Sequence, residues 1–577
     1  MHMLVTPSYR DIFKDEPPSI DSLLFDIPSK AIIAFLSAIN ADLFFETNKL
    51  ETQGKIYRFW SRGFSDKQKD IIFNGIKPFL KKDSDIFAFW YTMEFIQREL
   101  INYRDFEIED TTPDQEFRLL KAYFLIVEKC NDSHKNIFRE RPKNNPRGEF
   151  HFQEVTWPLL AGQFDFNKKV DPIYEVAKTY VLLQYLFEQP DTTKYIQNFL
   201  AIVKRKNVLH YVFDLLVFIK SIQSHDETKP FKTFSFIAEP EFNVIFDGWC
   251  IDRIELQNNL DKQKDYLGLR EKPLFKLPDG KYIAMNWSFL NNQLNLGLLF
   301  AFNKISGIKE LYPTFLDFKR DISKKVSEEI IFSGIIKKAL HKKYTVTNFS
   351  NAYNDDFPDC YHREGKNVFL FEFKDGLMPI KAISSGNYET IKADIDTKFI
   401  ESGEKKKGKG IRQVLQQIKK LNESKLGGDD FEAKGIKKRN LVIYPIIVYT
   451  HFMYTMPGIN TYLNSIFKKE LDAYDKTTQI QFATVKDIVM IDFEFFFKNF
   501  LLLKNEKYFL KKLLDNYIDK MKKLKEKALK EQTVENILKA NSGFEEVPYH
   551  SDPGFDNKNY VKELFEALGI VVESPEP

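Results

Sequence analysis

Cysteine is scarce in this chain. Its 577 residues include only Cys130, Cys250 and Cys360, which are scattered and form no Cys-x-x-Cys pair. A disulfide framework needs an even set of cysteines, and a zinc knuckle needs closely spaced pairs. The sequence therefore disfavours both classes and favours a reducing compartment, so we expect a cytoplasmic protein.

Histidine pairs and a strong net charge are also lacking. The nine histidines form no His-x-x-x-His pair, which disfavours a zinc hydrolase. His362 is interpreted as a surface residue of a hairpin. Because the formal net charge is only +3, any binding to nucleic acid must use local basic surfaces rather than a globally cationic chain.

Long uninterrupted apolar runs are missing too. The longest apolar stretches are short or interrupted, as by Asp214 and Lys220 within residues 208–222, and no basic-then-apolar signal region opens the chain. We therefore expect no membrane partner.

Aromatic and apolar residues are plentiful. Hydrophobic residues make up 43% and aromatic residues 15% of the chain, with 55 phenylalanines, which is ample for buried cores. The length exceeds what one core usually organises, so several domains are expected. The predicted fold is a multidomain α/β protein with a mainly helical N-terminal half. The predicted domains are a mainly α-helical domain at 1–235, a small β-containing connector at 236–318, an α/β domain at 319–505 and a helical, lysine-rich C-terminal tail at 506–577.

The N-terminal half carries no recognisable catalytic motif. Its expected roles are recognition, oligomerisation or docking of a partner. Within the connector, Pro278-Asp279-Gly280 is typical of a hairpin turn between two strands.

The most informative stretch is Phe369-Leu370-Phe371-Glu372-Phe373-Lys374. Side chains alternate along a β-strand, so Glu372 and Lys374 share one face while the phenylalanines share the other. Asp359 follows Pro358 thirteen residues before Glu372, at the end of a preceding short strand. Two carboxylates and an ammonium that converge in this way suit a divalent cation with a lysine beside its bound water.

This order of an Asp, a turn and a Glu-x-Lys strand resembles the PD-(D/E)xK nuclease superfamily, over about residues 319–505. The resemblance implies a restriction-endonuclease-like α/β core in the order helix, three strands, helix, strand, helix, strand, helix. It also implies that Asp359, Glu372 and the carbonyl of Phe373 bind Mg²⁺, for which Mn²⁺ substitutes. Lys374 would then act on the attacking water.

In that superfamily, the helix before the strands often contributes another acid, and the helix after them a glutamine. The first helix begins near Val326, and its two possible apolar stripes leave either Glu328 or Glu329 beside the site, with Glu329 preferred as a catalytic and metal-binding residue. On the later helix the candidates are Gln413, which is preferred, and Gln417, one turn on.

A flexible basic segment separates the motif strand from the glutamine helix. Gly403 to Lys409 has the spacing of a phosphate-binding loop, but Gly410 stands where Ser or Thr is needed, so an NTPase is disfavoured. The same segment is a candidate surface for a phosphate backbone. The candidate nucleic-acid contacts are Lys405, Lys406, Lys407, Lys409 and Arg412.

The resemblance therefore predicts a Mg²⁺-dependent DNA endonuclease, with a role in bacterial defence against phage or foreign DNA. The alternatives are an RNA-cleaving effector, an inactive nuclease-like module used for DNA binding or assembly, and a helical scaffold in which Glu372 and Lys374 form a solvated ion pair. A homo-oligomer and a separate ATPase or sensor protein are the expected protein partners, since no motor motif is present.

Overall fold

The computed structural model describes residues 6–80, 85–108, 110–139, 152–169, 171–223, 230–350, 357–403, 407–531, 533–546, 563 and 565–570. The chain divides into two compact units. The first contains residues 1–148, 162–180 and 186–308, and the second contains 149–161, 181–185 and 309–577.

The first unit is mainly helical, as predicted for the N-terminal half. Residues 236–308, predicted as a separate connector, belong to this unit. Its helices, together with the one that runs on through residues 181–185, are Tyr9–Ile12, Ile20–Leu24, Ser29–Phe45, Lys49–Trp60, Asp66–Ile76, Phe89–Ile101, Pro113–Arg139, Pro172–Glu188, Thr193–Ile202, Val208–Gln223, Asn243–Gly248, Arg253–Asn258, Leu260–Gln263, Leu267–Glu271, Trp287–Asn292 and Leu298–Ile305.

Aromatic rings fill the core of the first unit. Trp60 is 2% exposed and lies 5.6 Å from Phe87 and 5.8 Å from Tyr123 between ring centroids. The unit also has a small antiparallel sheet, in which Tyr282–Ala284 lies between Ser235–Phe236 and Leu274–Lys276. Leu274–Lys276 and Tyr282–Ala284 form the hairpin that was predicted around Pro278-Asp279-Gly280.

The second unit is built on a six-stranded sheet. We label its strands β1 (Thr345–Phe349), β2 (Cys360–Glu364), β3 (Asn367–Lys374), β4 (Val442–Tyr449), β5 (Thr484–Val485) and β6 (Val489–Asp492). Strands β1, β2 and β3 are antiparallel neighbours, whereas β4 is parallel to β3 and to both β5 and β6. The sheet is therefore mixed.

Five long helices of this unit are labelled α1 to α5. Helix α1 is continuous through Phe315–Ile322, Ser323–Phe332 and Ser333–Leu340. The others are α2 (Tyr388–Phe399), α3 (Ile411–Asn422), α4 (Ile459–Thr478) and α5 (Phe509–Glu531). Shorter helices are Phe152–Leu160, Ile380–Ile383, Glu494–Lys498, Phe500–Asn505 and Val534–Lys539.

Between residues 315 and 505 the helices and strands follow the predicted order with two differences: the segment from Asp375 to Gly408, which carries α2, is inserted after β3, and two strands, β5 and β6, stand where one was predicted. Helix α5 and the segment that follows it belong to the second unit rather than forming a unit of their own. None of the helices in the described ranges combines the length and the apolar character needed to cross a lipid bilayer.

Strands β3 and β4 are covered on both faces, which explains their nearly continuous apolar sequences. On one face the Phe373 ring stacks on Phe332 of α1 at 4.7 Å, and the Phe369 ring stacks on Tyr444 of β4 at 4.9 Å. On the other face, α3 buries the apolar residues that its sequence predicted to point inward, Ile411, Val414, Leu415, Ile418 and Leu421.

The segment after α5 returns to the edge of the sheet where β4 and β6 end. Its Glu545 carboxylate accepts hydrogen bonds from the backbone N–H of Asp492 at 2.6 Å and from the Tyr449 hydroxyl at 3.2 Å. Its other oxygen, Oε2, is buried and has no hydrogen-bond partner among the described residues. Burial and the nearby negative charge of Asp492 raise the pKa of Glu545 to about 8.

The raised pKa of Glu545 predicts a pH-dependent cost in stability. The protonated form is favoured in the folded protein, so stability falls as pH rises from the ordinary value of 4.5 toward about 8. Of the other titratable groups around it, Asp492 disfavours ionisation, whereas the hydrogen bond from Tyr449 favours it. We expect Glu545→Gln to raise the free energy of unfolding by about 1 kcal/mol or more at pH 8, and by much less at pH 5.

The matched control is Glu546→Gln, because the neighbouring Glu546 is exposed. The free energy of unfolding is measured by denaturant titration of wild type and both variants at pH 5 and pH 8. A gain that is equal at both pH values, or equal for the two variants, would contradict the expectation.

Candidate active site

Asp359, Glu372 and Lys374 come together at one end of the sheet. Cys360, the first residue of β2, pairs with Phe371 of β3, so the residue before Cys360 comes level with the residue after Phe371. Asp359 therefore lies beside Glu372. Its Oδ2 accepts the backbone N–H of Phe373 at 2.7 Å, which fixes the carboxylate against the strand.

Glu372 and Lys374 form a buried pair. The Lys374 ammonium donates to Glu372 Oε1 at 2.6 Å, and the side chains are 20% exposed for Lys374 and 2% exposed for Glu372. The interpretation of these residues as a solvated surface ion pair is therefore wrong. Burial alone would lower the pKa of Lys374, but Glu372 and Asp359 outweigh it and hold that pKa above its ordinary value.

The carboxylates at this end of the sheet oppose one another. Burial and the negative charge of Glu372 raise the pKa of Asp359 well above its ordinary value. Burial and Glu372 also raise the pKa of Glu328. Three acids within electrostatic range, in competition for one lysine, form an anionic site that a cation would stabilise.

Both candidate glutamines of α3 reach the site. Gln413 Oε1 accepts the Lys374 ammonium at 3.0 Å and the backbone N–H of Gly410 at 2.9 Å. One turn on, Gln417 Nε2 donates to Glu372 Oε2 at 3.0 Å. The two alternatives are thus not exclusive, since each glutamine holds a different member of the Glu372–Lys374 pair.

The acid that α1 contributes is Glu328. Glu328 acts on the pKa values of Asp359 and Lys374, whereas Glu329 is exposed. The preference for Glu329 as catalytic and metal-binding acid is corrected for this reason. The cause is local geometry: α1 is a π-helix over Ser323–Phe332, in which the N–H of Ser333 bonds to the carbonyl of Glu328 five residues earlier.

Each residue of a π-helix turns by less than 100° about the helix axis. The buried positions predicted at 3.6 residues per turn are therefore displaced from the observed ones. The observed buried stripe of α1 mixes the two predicted ones, and it includes Val326, Ile331, Phe332, Ile335, Ile336, Ala339 and Leu340. The sequence contains no Pro or Gly signal in this stretch that would have predicted the change of period.

The two glutamates provide a matched pair of variants. We expect Glu328→Gln to weaken divalent-metal binding and metal-dependent cleavage by about 10-fold or more, because one of three acids around the site loses its charge. Glu329→Gln should behave as wild type, because that side chain is exposed. The measurement is the Mn²⁺ concentration needed for half-maximal thermal stabilisation. Equal values for the two variants would contradict the assignment of Glu328.

The predicted basic contacts have mixed outcomes. Arg412 pairs with Glu401 and, at 2.8 Å, with Glu470, so its guanidinium is held by two carboxylates and the prediction that it contacts phosphates is not supported. Lys405 and Lys406 lie outside the described residues. Lys407 is placed only through its backbone, which pairs with Ser402 in a short hairpin, and Lys409 donates its N–H to the carbonyl of Ile400 at 2.7 Å.

His362 is buried, which corrects its interpretation as a surface residue. It is 3% exposed, and its Nδ1 lies 2.9 Å from the Thr347 hydroxyl. Burial lowers the pKa of His362 to about 3, so the ring is neutral at physiological pH. On the opposite face of the same strand, Arg363 forms a buried ion pair with Asp429.

The donor set at the sheet end fits a hard divalent cation. Asp359, Glu372 and Glu328 supply carboxylate oxygens, and Gln417 Oε1 is a buried amide oxygen without a hydrogen-bond partner in the described part of the chain. Within the described ranges, however, no three His, Cys, Asp or Glu side chains are close enough to form a ready-made metal site. A cation would therefore have to draw Glu328 or the Glu372–Lys374 pair into a new arrangement.

No protein-family model, no curated protein and no solved structure matches this chain. What it does must therefore be inferred from its own residues.

Proposed function

We propose that this protein is a metal-dependent nuclease that hydrolyses phosphodiester bonds, with its active site at Asp359, Glu372 and Lys374. The observation that carries the proposal is the half-buried Lys374 ammonium, held between the Glu372 carboxylate and the Gln413 amide beside two further acids. An ion pair with only a structural role would need neither the Gln413 amide nor the surrounding acids. Acids placed so close together lower the stability of the fold.

Asp359 and Glu372 would hold Mg²⁺, with Glu328 as a third acid; Phe373 as a carbonyl ligand stays a prediction. When bound, the cation would supply Lewis acidity to the scissile phosphate. Asp359 is pre-positioned for this role by the N–H of Phe373, and Glu372 by the amide of Gln417.

Lys374 acts through the hydrogen bonds that it has left. An ammonium has three donors, of which Glu372 Oε1 and Gln413 Oε1 each take one. The third can donate to an attacking water or to a phosphate oxygen. Because its pKa is held above the ordinary value, Lys374 remains a cation at neutral pH and stabilises negative charge as it develops on the phosphorus centre.

DNA is the proposed substrate over RNA, and defence against phage or foreign DNA in the cytoplasm of a bacterium is the proposed role. Both rest on the resemblance to the PD-(D/E)xK superfamily. Homo-oligomerisation and a separate ATPase or sensor remain part of the same proposal.

A second candidate is a nuclease-like module that binds or assembles without cutting. The observation in its favour is that the carboxylates of the described residues do not form a closed metal site. The intact set of acid, acid and lysine, with both glutamines engaged, favours the enzyme.

The test is cleavage of supercoiled plasmid, single-stranded DNA and RNA by the purified full chain, with Mg²⁺, Mn²⁺ or EDTA. Cleavage that requires the metal supports the proposal and identifies the substrate. Stabilisation by Mn²⁺ against heat without any cleavage would favour the silent module, and the absence of both would overturn the proposal.

A further inference from the structure

Asp375, the residue after Lys374, forms a second charged cluster directly behind the active site. Its carboxylate pairs with the ammonium of Lys319 at 2.5 Å and accepts the Thr450 hydroxyl at 2.6 Å. Both charged side chains are largely buried, with 7% exposure for Asp375 and 12% for Lys319. Asp375 comes directly after β3, and its partners Lys319 and Ser323 belong to α1, the helix that packs against Phe373 of that strand.

Three polar residues of α1 meet this cluster, spaced one turn apart. Lys319 reaches the Asp375 carboxylate, Ser323 donates to the Asp375 carbonyl at 3.3 Å, and Ser327 lies close enough to the carboxylate to help lower the pKa of Asp375. Lys319 also donates to the Ser323 hydroxyl at 3.1 Å. Helix α1 is therefore attached to the end of β3 by a line of polar contacts that finishes one residue before Glu328.

Thr450 brings in a third element. It follows β4, and its N–H donates to the carbonyl of Lys374 at 3.3 Å while its hydroxyl holds Asp375. A single carboxylate thus connects α1, β3 and β4 at the point where the active-site acids lie. Buried hydrogen-bonded pairs of this kind orient the ligands that adjoin them.

We propose that Asp375, together with Lys319, is a positioning residue that sets how closely Glu328 approaches Asp359 and Glu372, and thereby sets the affinity of the site for a divalent cation. This inference rests on the proposed function. Asp375 acts through other residues, since its hydrogen-bond and ion-pair partners in the described part of the chain are on α1 and at Thr450. The π-helical stretch of α1, which contains Glu328, begins at Ser323, whose hydroxyl bonds the Asp375 carbonyl, and Lys319 lies one turn before it.

The test compares Asp375→Asn with wild type by the Mn²⁺ concentration required for half-maximal thermal stabilisation of the full chain. We expect this concentration to rise about 10-fold to 100-fold, because Asn cannot pair with Lys319 and α1 is released. Cleavage at saturating Mn²⁺ should fall much less than cleavage at limiting Mn²⁺. An unchanged half-maximal concentration would overturn the inference.

Two further variants separate positioning from simple stabilisation. Asp429→Asn breaks the buried pair with Arg363 in the same unit without touching α1, so it should lower stability but leave the Mn²⁺ requirement unchanged. The double variant Lys319→Met with Asp375→Asn removes both buried charges and should recover stability. If it also recovers wild-type Mn²⁺ affinity, the cluster is only structural and the inference fails.

The outcomes also separate this inference from the proposed function. Mn²⁺ binding without cleavage would sink the nuclease proposal, while the titration still decides the role of Asp375. Metal-dependent cleavage with an unaltered Asp375→Asn titration would sink only the inference. If wild type is neither stabilised by Mn²⁺ nor cleaves nucleic acid in its presence, both are overturned.

Discussion

Lys374→Met is expected to reduce metal-dependent cleavage by about 10³-fold or more. The methionine fills a similar volume but carries neither the charge nor the donor that the proposed transition state needs. It also leaves Glu372 with the Gln417 amide as its remaining hydrogen-bond donor among the described residues, so some loss of stability is expected as well. Initial rates on the preferred substrate at saturating Mg²⁺ make the measurement.

Lys374→Arg separates the loss of chemistry from the loss of stability. The guanidinium keeps a cation beside Glu372, so the fold should be preserved, but its planar fork cannot reproduce the position of the ammonium, so cleavage should remain low. The matched control is Lys366→Met, at the exposed residue before the same strand, which should cut as wild type does. Substantial activity in either Lys374 variant would refute the catalytic assignment.

Asp359→Asn should have opposite effects on stability and on function. Without metal, the variant should gain about 1 kcal/mol in the free energy of unfolding, because a buried carboxylate next to Glu372 loses its charge while the asparagine oxygen still accepts the Phe373 N–H. With metal, wild type should have the higher free energy of unfolding. Wild type is stabilised by about 2.7 kcal/mol at a metal concentration of 100 times Kd, whereas the variant gains little and does not cut.

Unfolding curves in EDTA and in Mn²⁺ check both halves of this expectation. Asp472→Asn, an exposed position on α4, is the control and should change neither curve. If Asp359→Asn lowers the free energy of unfolding in EDTA, the carboxylate stabilises the fold. It is then not a buried charge that lowers stability until a cation binds.

The sheet of the second unit was largely predictable from the sequence, because its signals are local. Alternation along residues 368–374 placed Glu372 and Lys374 on one face, whereas the glutamines of α3 were predicted at the site from the resemblance to the nuclease superfamily. The first inference uses only the geometry of one element. The structure agrees with both at the level of individual contacts.

The errors arise where the outcome depends on distant residues or on an unusual local period. Arg412 looked available for phosphate because Glu401 and Glu470 lie 11 and 58 residues away along the chain. The choice of Glu329 assumed a regular α-helix through a stretch that is π-helical. Asp375 was overlooked as a group with a role, although a carboxylate directly after Glu-x-Lys is a signal that the sequence carries; its partners Lys319 and Thr450 are 56 and 75 residues away.

The start of α3 connects the inserted segment to Lys374. Gly410 has a φ of +42°, and a Cβ at this position would lie 2.6 Å from the carbonyl oxygen of Phe399, the last residue of α2. The backbone N–H of this glycine shares Gln413 Oε1 with Lys374. The inserted segment therefore supports the start of α3. Engineering that shortens it, or that replaces Gly410, would alter the start of the helix whose first turn holds the Lys374 ammonium, so a shortened version of this domain should retain α2.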